Sequence, residues 1–448
     1  MTDAQEVLGR LDSEGIEHLW VIWHDYSGRS CTKAVPRDKF ARIFKNGVVF
    51  ARADLDFNLQ DHMAADSMFT ADTGDFLAVP DPNSYARIPY RQRTGLIYAF
   101  MRDDNLAPWQ ACPRTQLQHM VETYAAEGLS VRAAFESEFT LFEPADDGEY
   151  RPAGTEGMFT VAGLDRHYSL CQLIMDNLQE MGVSVEQLGK EYGPGQYEAT
   201  THYEEPMKAA DDFCTFKEVV RAVARDAGLV ASFMPKPYAD RPGCGLHVHL
   251  SVWDAEGKHE LSMGESEEDP LSPVGRHFLG GLLAHAAALT GVGAPLVNSY
   301  KRLLPGSWAP AHICWGVGNR AALVRIPSMW RRRHMEFRSG DCATNPYIFM
   351  TAIMGAGLHG IRSQIEPPPP VDYDVGTITT PEEAAARGME LLPRSLPEAL
   401  EALEGDEVVA DALGPMVLSE FLKVKRSELA AYDLHVHPWE REMYLEAI

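Results

Sequence analysis

The stretch Phe135-Glu136-Ser137-Glu138-Phe139 lies inside a longer run, Val131 to Phe142, in which apolar and polar residues interleave, and it reads as the middle of a strand. Side chains alternate across a strand, so Glu136 and Glu138 share one face while Phe135, Ser137 and Phe139 take the other. Two carboxylates on one face repel. If that face is buried, a cation is the natural neutraliser; if it is wet, the pair belongs to an ordinary solvated sheet face.

Outward from this strand, Thr115 to Glu127 has the spacing of an amphipathic helix, and Leu19-Trp20-Val21-Ile22-Trp23 before Asp25-Tyr26-Ser27-Gly28 has the pattern of a strand entering a turn. The first hundred residues repeat that strand-and-turn alternation, which predicts a small β-rich domain over 1–106 and a larger domain over 107–448. Further on, strand-like Leu246 to Trp253 and Ala322 to Ile326 alternate with helical Phe213 to Asp226 and His277 to Ala288, so the expected class is α+β. The acidic run Glu265 to Asp269 and the prolines 367–370 read as solvated loop and linker, and no internal repeat or heptad array is present.

A chain of 448 residues with 45% apolar and 23% charged residues can bury a sizeable core. Its formal charge of -25 argues against a nucleic-acid backbone or an anionic membrane surface as a partner. The start, Met1-Thr2-Asp3, lacks a signal pattern, and no run approaches the roughly 20 apolar residues of a membrane span, which reads as a cytoplasmic protein. The seven cysteines are scattered without a CxxC pair and are expected to be reduced.

Gly245-Leu246-His247-Val248-His249-Leu250 repeats the i, i+2 device with two imidazoles, which are either donors on one strand face or satisfied core histidines. Glu191-Tyr192-Gly193-Pro194-Gly195-Gln196-Tyr197-Glu198 sets two acids around a glycine-rich turn, a pattern that a plain hairpin also explains. Lys301 to Arg338 holds seven arginines in an otherwise acidic chain, and guanidinium forks suit carboxylates and phosphates. Arg331-Arg332-Arg333 reads as a solvated patch, whereas Arg320 and Arg325 are interleaved with apolar residues. Clustered acids, histidine and arginines suit Mg²⁺ or Mn²⁺ on a phosphorylated substrate, and no P-loop or kinase signature is present.

Taken in order, these segments resemble the glutamine synthetase family over nearly the whole chain. Phe233-Met234-Pro235-Lys236-Pro237, Gly243-Cys244-Gly245, Lys301-Arg302-Leu303-Leu304-Pro305-Gly306, Asn319-Arg320, Arg325-Ile326-Pro327, Glu336-Phe337-Arg338 and Asn345-Pro346-Tyr347 complete the series. The resemblance implies a small N-terminal β-grasp domain, a catalytic domain built on a curved antiparallel sheet with helices, and a homo-oligomeric ring, commonly a dodecamer, with active sites between subunits. By the same resemblance Glu138, Glu191 and Glu198 match the ligands of one metal, and Glu136, His247 and Glu336 those of a second. His249 and Arg325 match residues near the ATP phosphates, Gly243 the glycine of the glutamate-binding loop, and Arg302, Arg320 and Arg338 the arginines on glutamate and the transferred phosphoryl group. The implied chemistry uses ATP and two or three Mg²⁺ or Mn²⁺ ions to join the glutamate γ-carboxylate to an amine through a γ-glutamyl phosphate.

The departures gather on the amine side. Where the family's flap carries a glutamate before Ala-Pro, this chain has Trp308 before Ala309-Pro310. The family's ammonium-binding Asp-Gly-Ser-Ser has its nearest counterpart in Phe50-Ala51-Arg52-Ala53-Asp54, with Asp54 or Asp56 as stand-ins for the acid. On the glutamate side, Pro242 replaces an asparagine and His334 an arginine, which leaves open a ligase acting on another carboxylic acid. The amine-side changes imply an organic amine, such as an alkylamine, a polyamine or an aniline, and the chain then sits with the members that make γ-glutamylamides. The alternatives are a glutamine synthetase using ammonia and a non-catalytic relative serving a structural or regulatory assembly, whose expected mark is damaged metal ligands. All six are present, and no tyrosine occurs between Tyr373 and Tyr432 to accept an adenylyl group.

Overall fold

A computed structural model describes residues 3–266, 269–329 and 334–448. Arg331-Arg332-Arg333, read above as a solvated patch, lie outside the described residues, as do Met1 and Thr2 at the start of the chain and Glu267 and Glu268 of the acidic run.

The early strands form a six-stranded sheet: β1 (His18–His24), β2 (Ser30–Pro36), β3 (Val48–Ala51), β4 (Asp75–Pro80), β5 (Ala86–Arg87) and β6 (Thr94–Arg102). Its order is β2-β1-β6-β4-β3, with β5 paired to β6. Helices α1 (Ala4–Ser13) and α2 (Phe40–Asn46) belong to the same region. Trp23, Phe50 and Phe76 stack edge-on and face-on within its core, so the apolar side of the alternation fills the sheet's inner face.

A nine-stranded sheet follows. It comprises β7 (Leu129–Pro144), β8 (Tyr150–Pro152), β9 (Val185–Lys190), β10 (Gln196–Thr201), β11 (Val230–Ser232), β12 (Leu246–Asp254), β14 (Trp315–Val317), β15 (Val324–Ile326) and β16 (Met335–Phe337), while β13 (His312–Ile313) pairs apart with β17 (Glu390–Leu391). The order is β14-β15-β16-β12-β7-β10-β9, with β7 also carrying β8 and β11, and every pairing except β14 with β15 is antiparallel. Helices α3 (Pro113–Ala126), α4 (Val161–Asp165), α5 (Tyr168–Glu180), α6 (Pro206–Asp226), α7 (Pro273–Ala284), α8 (Ala286–Gly293) and α9 (Pro346–Ser363) accompany it. Five more, α10 (Pro381–Ala385), α11 (Leu396–Gly405), α12 (Glu407–Leu413), α13 (Pro415–Asp433) and α14 (Pro438–Tyr444), close the chain. The α+β class is as expected, and among the described residues no helix is long and apolar enough to cross a membrane.

Two sequence expectations need correction. The helix expected over 277–288 is two helices, because His285 leaves the helical region at φ -105°, ψ 13°; its Nδ1 bonds Asp406 at 2.7 Å and its Nε2 meets His359 at 2.9 Å. The strand expected from Ala322 begins only at Val324, since the Asn319 side chain accepts the Ala321 N–H at 3.1 Å and holds the preceding residues in a turn. All seven cysteines are free, six of them buried.

The Asn345-Pro346-Tyr347 segment joins the two regions. Asn345 caps α9 by accepting from the N–H groups of Tyr347 and Ile348, and its amide donates to the Asp25 carbonyl at 2.8 Å. Gly28 lies so close that a Cβ there would sit 2.9 Å from the Thr344 carbonyl oxygen, at a φ of +75° that favours glycine. Arg114, only 4% exposed, adds a buried tie by donating to Asp81 at 2.9 Å and Asp211 at 2.6 Å.

Candidate metal and phosphate site

Register builds the site. On β7 and β10 Glu138 faces Glu198 and Glu136 faces Thr200; across the other edge of β7, Glu136 faces His247 on β12. Next along, His249 pairs with Glu336 on β16, and Glu336 with Arg325 on β15. One face of five neighbouring strands therefore carries acids in the middle and an arginine at the rim. The hairpin between β9 and β10 brings Glu191 to the same end, its N–H bonded to the Gln196 carbonyl at 2.9 Å.

Two parts of this face differ in charge balance. His247 Nδ1 lies 2.6 Å from Glu136 and 3.5 Å from Glu336, His249 Nε2 lies 3.3 Å from Glu136, and Thr200 donates to Glu136 at 3.4 Å. Glu336, fully buried, gives one oxygen to Arg325 at 2.7 Å and the other to Arg338. Burial works to raise both carboxyls, but Arg338 and the histidines hold Glu336 down at about 2, and the histidine hydrogen bonds hold Glu136 well below the usual range. Burial and the Arg338 charge lower His247 to about 4, which keeps its imidazole neutral and able to ligate.

Among the described residues no cation pairs directly with the acids of the other part; Arg302 acts on Glu138, and Lys190 and Arg320 on Glu191, only through space. Burial, then the charges of Glu136, Glu138 and Glu191, pushes Glu198 up to about 10; burial pushes Glu138 up to about 7 against the pull of Arg302, and burial raises Glu191. Glu138 accepts from Gln196 Nε2 at 2.9 Å and from the Gly245 N–H at 3.0 Å, and these contacts with the Arg302 charge only partly offset its burial and the charges of Glu191 and Glu136. Such a set suits a hard divalent cation. Among the described residues, the ligand atoms of Glu136, His247 and Glu336 come within 4.8 Å of one another, whereas Glu138, Glu191 and Glu198 are drawn less tightly together.

The arginines expected at the site take different positions. Arg338 is buried against Glu336; Arg320 is exposed, its charge felt by Glu191. Arg302 is buried, donating to the carbonyls of Arg338, Ser339 and Gly340 at 3.1–3.3 Å. This explains the glycines before His247: a Cβ on Gly243 would meet the Pro235 oxygen at 2.5 Å, and one on Gly245 the Arg302 guanidinium at 2.5 Å. Trp308 is 70% exposed at φ 63° on the loop after Gly306. Asp56 is buried beside Ser67 and Glu420 of α13, which puts it in the fold's interior, while Asp54 is half-buried.

The roles of three contributors were not read from sequence, His334 having been noted there only for replacing an arginine. His334 Nε2 lies 2.6 Å from His249 Nδ1; Gln196 links Glu138, Gly243 and Gly193; and the Lys190 ammonium lies under the Glu191 turn. Gln196 had a signal, since Gln196, Glu198 and Thr200 alternate on one face of β10.

The glutamine synthetase catalytic domain matches residues 110–444 of this chain. The chain is 33% identical over 454 residues to a glutamine synthetase of Halobacterium salinarum, covering 100% of this chain and 97% of that one. It is 32% identical over 461 residues to a glutamate–methylamine ligase of Methyloversatilis universalis, covering 99% of each. A solved GmaS complex with ADP superposes with a TM-score of 0.89 at 34% identity over the whole of both chains.

Proposed function

The chain belongs to the glutamine synthetase family and is an ATP-dependent ligase that joins glutamate to an amine or ammonia; from that premise we propose that its nitrogen substrate is an organic amine and its product a γ-glutamylamide. The observation that carries the amine assignment is Trp308, exposed on the flap where the family has a glutamate, in a chain as similar to a glutamate–methylamine ligase as to glutamine synthetases. An indole offers apolar contact to an alkyl or aryl group, whereas capture of ammonium calls for a carboxylate. A weakly basic aryl amine arrives neutral, and an alkylamine must first lose a proton.

In this reading, Glu138, Glu191 and Glu198 hold one divalent ion and Glu136, His247 and Glu336 another, Mg²⁺ or Mn²⁺, whose charge offsets that of the triphosphate. The only partly offset acid repulsion and the neutral imidazole fit that role. His249 and Arg325 lie beside this group and contact the phosphates; Gly243 lines the glutamate loop; Arg302, Arg320 and Arg338 orient glutamate and the transferring group. A glutamate γ-carboxylate oxygen bonds to the γ-phosphorus as the bond to ADP breaks. The amine nitrogen then bonds to the acyl carbon, phosphate leaves, and the nitrogen loses its proton. Arginine donors aimed at the phosphoryl oxygens stabilise the charge that develops there. We also assign 1–106 to a β-grasp domain and 107–448 to the catalytic domain, with the ring assembly expected of the family.

The test is phosphate release from ATP with Mg²⁺ and L-glutamate, scanned over ammonia, methylamine, longer alkylamines, polyamines, ethanolamine and anilines, with products identified by mass spectrometry. Release dependent on one organic amine, with a γ-glutamylamide formed, supports the assignment. Release with ammonia alone defeats it and makes glutamine the product.

A further inference from the structure

Lys190 ends β9, immediately before Glu191, and is 2% exposed. Its stem is covered: a Cβ on Gly163 would lie 2.8 Å from Lys190 Cγ, and the Phe159 N–H donates to the Lys190 carbonyl at 3.0 Å. Its ammonium donates to the Glu191 carbonyl at 2.5 Å and the Gly193 carbonyl at 2.6 Å. The charge is thus directed at main-chain oxygens of one turn. Burying an ammonium in this way costs solvation, and the cost is met only where its donors are well used.

That turn is gripped from its other side as well. Gly193 N–H donates to Gln196 Oε1 at 2.8 Å, and a Cβ on Gly193 would lie 2.5 Å from that atom. Gly195 has a φ of +64°, and a Cβ there would lie 2.6 Å from the Leu141 oxygen. Gln196 Nε2 then reaches Glu138 at 2.9 Å and the Gly243 carbonyl at 2.9 Å. Glu191 is the one acid of its trio that comes from outside a strand, so its position is set by this turn and not by sheet register.

We propose that Lys190 is a positioning residue: its ammonium fixes the Glu191–Gly195 turn and so sets where the Glu191 carboxylate stands relative to Glu138 and Glu198. The inference rests on the assignment of those three acids to one divalent ion. A cation set behind an acidic cluster also offsets part of the mutual repulsion while the acids are empty. Outer contacts of this kind change metal affinity by about 10- to 100-fold when removed.

The experiment is Mn²⁺ titration of the nucleotide-free, full-length protein by electron paramagnetic resonance, with melting in EDTA as the control. Lys190→Met keeps an unbranched stem and removes the donors; Lys190→Arg keeps donors; Glu198→Gln identifies which class of bound Mn²⁺ belongs to the three acids. Lys190→Met is expected to weaken that class by about tenfold or more, to leave the class at Glu136, His247 and Glu336 within about twofold, and to melt in EDTA within a few degrees of wild type. Lys190→Arg is expected to recover part of the affinity. Two unchanged classes in Lys190→Met overturn the inference, as does a parallel loss of both classes with a lowered EDTA melt, which marks a purely structural role. A wild-type protein that binds no Mn²⁺ defeats the metal assignment itself, and this inference with it.

Discussion

The two parts of the acidic face should respond unequally to the same chemical change, Glu to Gln, in metal-free protein. Glu336 is fully buried, ionised, and shared by Arg325 and Arg338. Removing one partner of a buried ion pair costs about 3–5 kcal/mol, and a glutamine keeps the shape and one acceptor, so Glu336→Gln should cost about 2–3 kcal/mol. Glu198, pushed up to about 10, is already protonated at neutral pH. A glutamine copies the neutral acid, so Glu198→Gln should change stability by no more than about 0.5 kcal/mol. Urea unfolding in EDTA at pH 7 measures both. Adding Mg²⁺ should then stabilise wild type by mass action and Glu198→Gln much less. The reasoning is refuted if Glu336→Gln unfolds with wild type, or if Glu198→Gln loses about 2 kcal/mol or more without metal.

Metal-free stability should depend on pH in a direction set by Glu138 and Glu198. Their folded values, about 7 and about 10, lie above the ordinary 4.5, so the stability they contribute is full below about pH 4.5 and declines as pH rises through 7 toward 10. Mg²⁺ should remove that decline, since binding displaces the protons, and calorimetry in two buffers of different ionisation heat should detect their release. Trp308→Glu, at a 70% exposed position, should leave the melting temperature unchanged and raise the kcat/KM ratio for ammonia over the preferred amine; an unaltered ratio would show that the indole does not face the amine. Arg114→Met leaves Asp81 and Asp211 buried without their cation and should cost about 3–5 kcal/mol in urea unfolding. Gly243→Ala must push the Pro235 carbonyl from 2.5 Å or shift the loop, and should raise KM for glutamate well before it affects ATP binding.

What could be read from the sequence follows from periodicity. Phe135 to Phe139 gave strand, shared face and candidate ligands at once, because a period of two is visible in five residues and both carboxylates do project together. Register could not be read: that Glu138 opposes Glu198, and Glu136 opposes His247, depends on how strands distant in sequence align. Small deviations from pattern also escaped. His285 interrupts an otherwise helical run through contacts with Asp406 and His359, residues far along the chain, and the Asn319 side chain delays β15 by a local turn. Asp56, equally acidic on paper, serves the interior beside Glu420, a distinction that burial alone makes.

The balance of charge across the face has a consequence for the order of events. Without a cation, Glu336 is the anion that holds Arg325 and Arg338, and Glu136 is the anion that holds His247. A divalent ion taking Glu336 competes for the same oxygens, and the guanidinium groups must then turn to the next available anion. Among the described residues, Arg325 and Arg338 each have a buried Nε with no partner, so both retain donor capacity for such a group. On the proposed function, that anion is the phosphate chain of ATP. The ion pairs that stabilise the metal-free fold and the proposed phosphate contacts of Arg325 and Arg338 would then be alternative uses of one set of donors. On the proposed metal assignment, the acid trio has no direct ion pair among the described residues, so a first cation would be held there without displacing an arginine, and a second would enter at the cost of the Glu336 pairs.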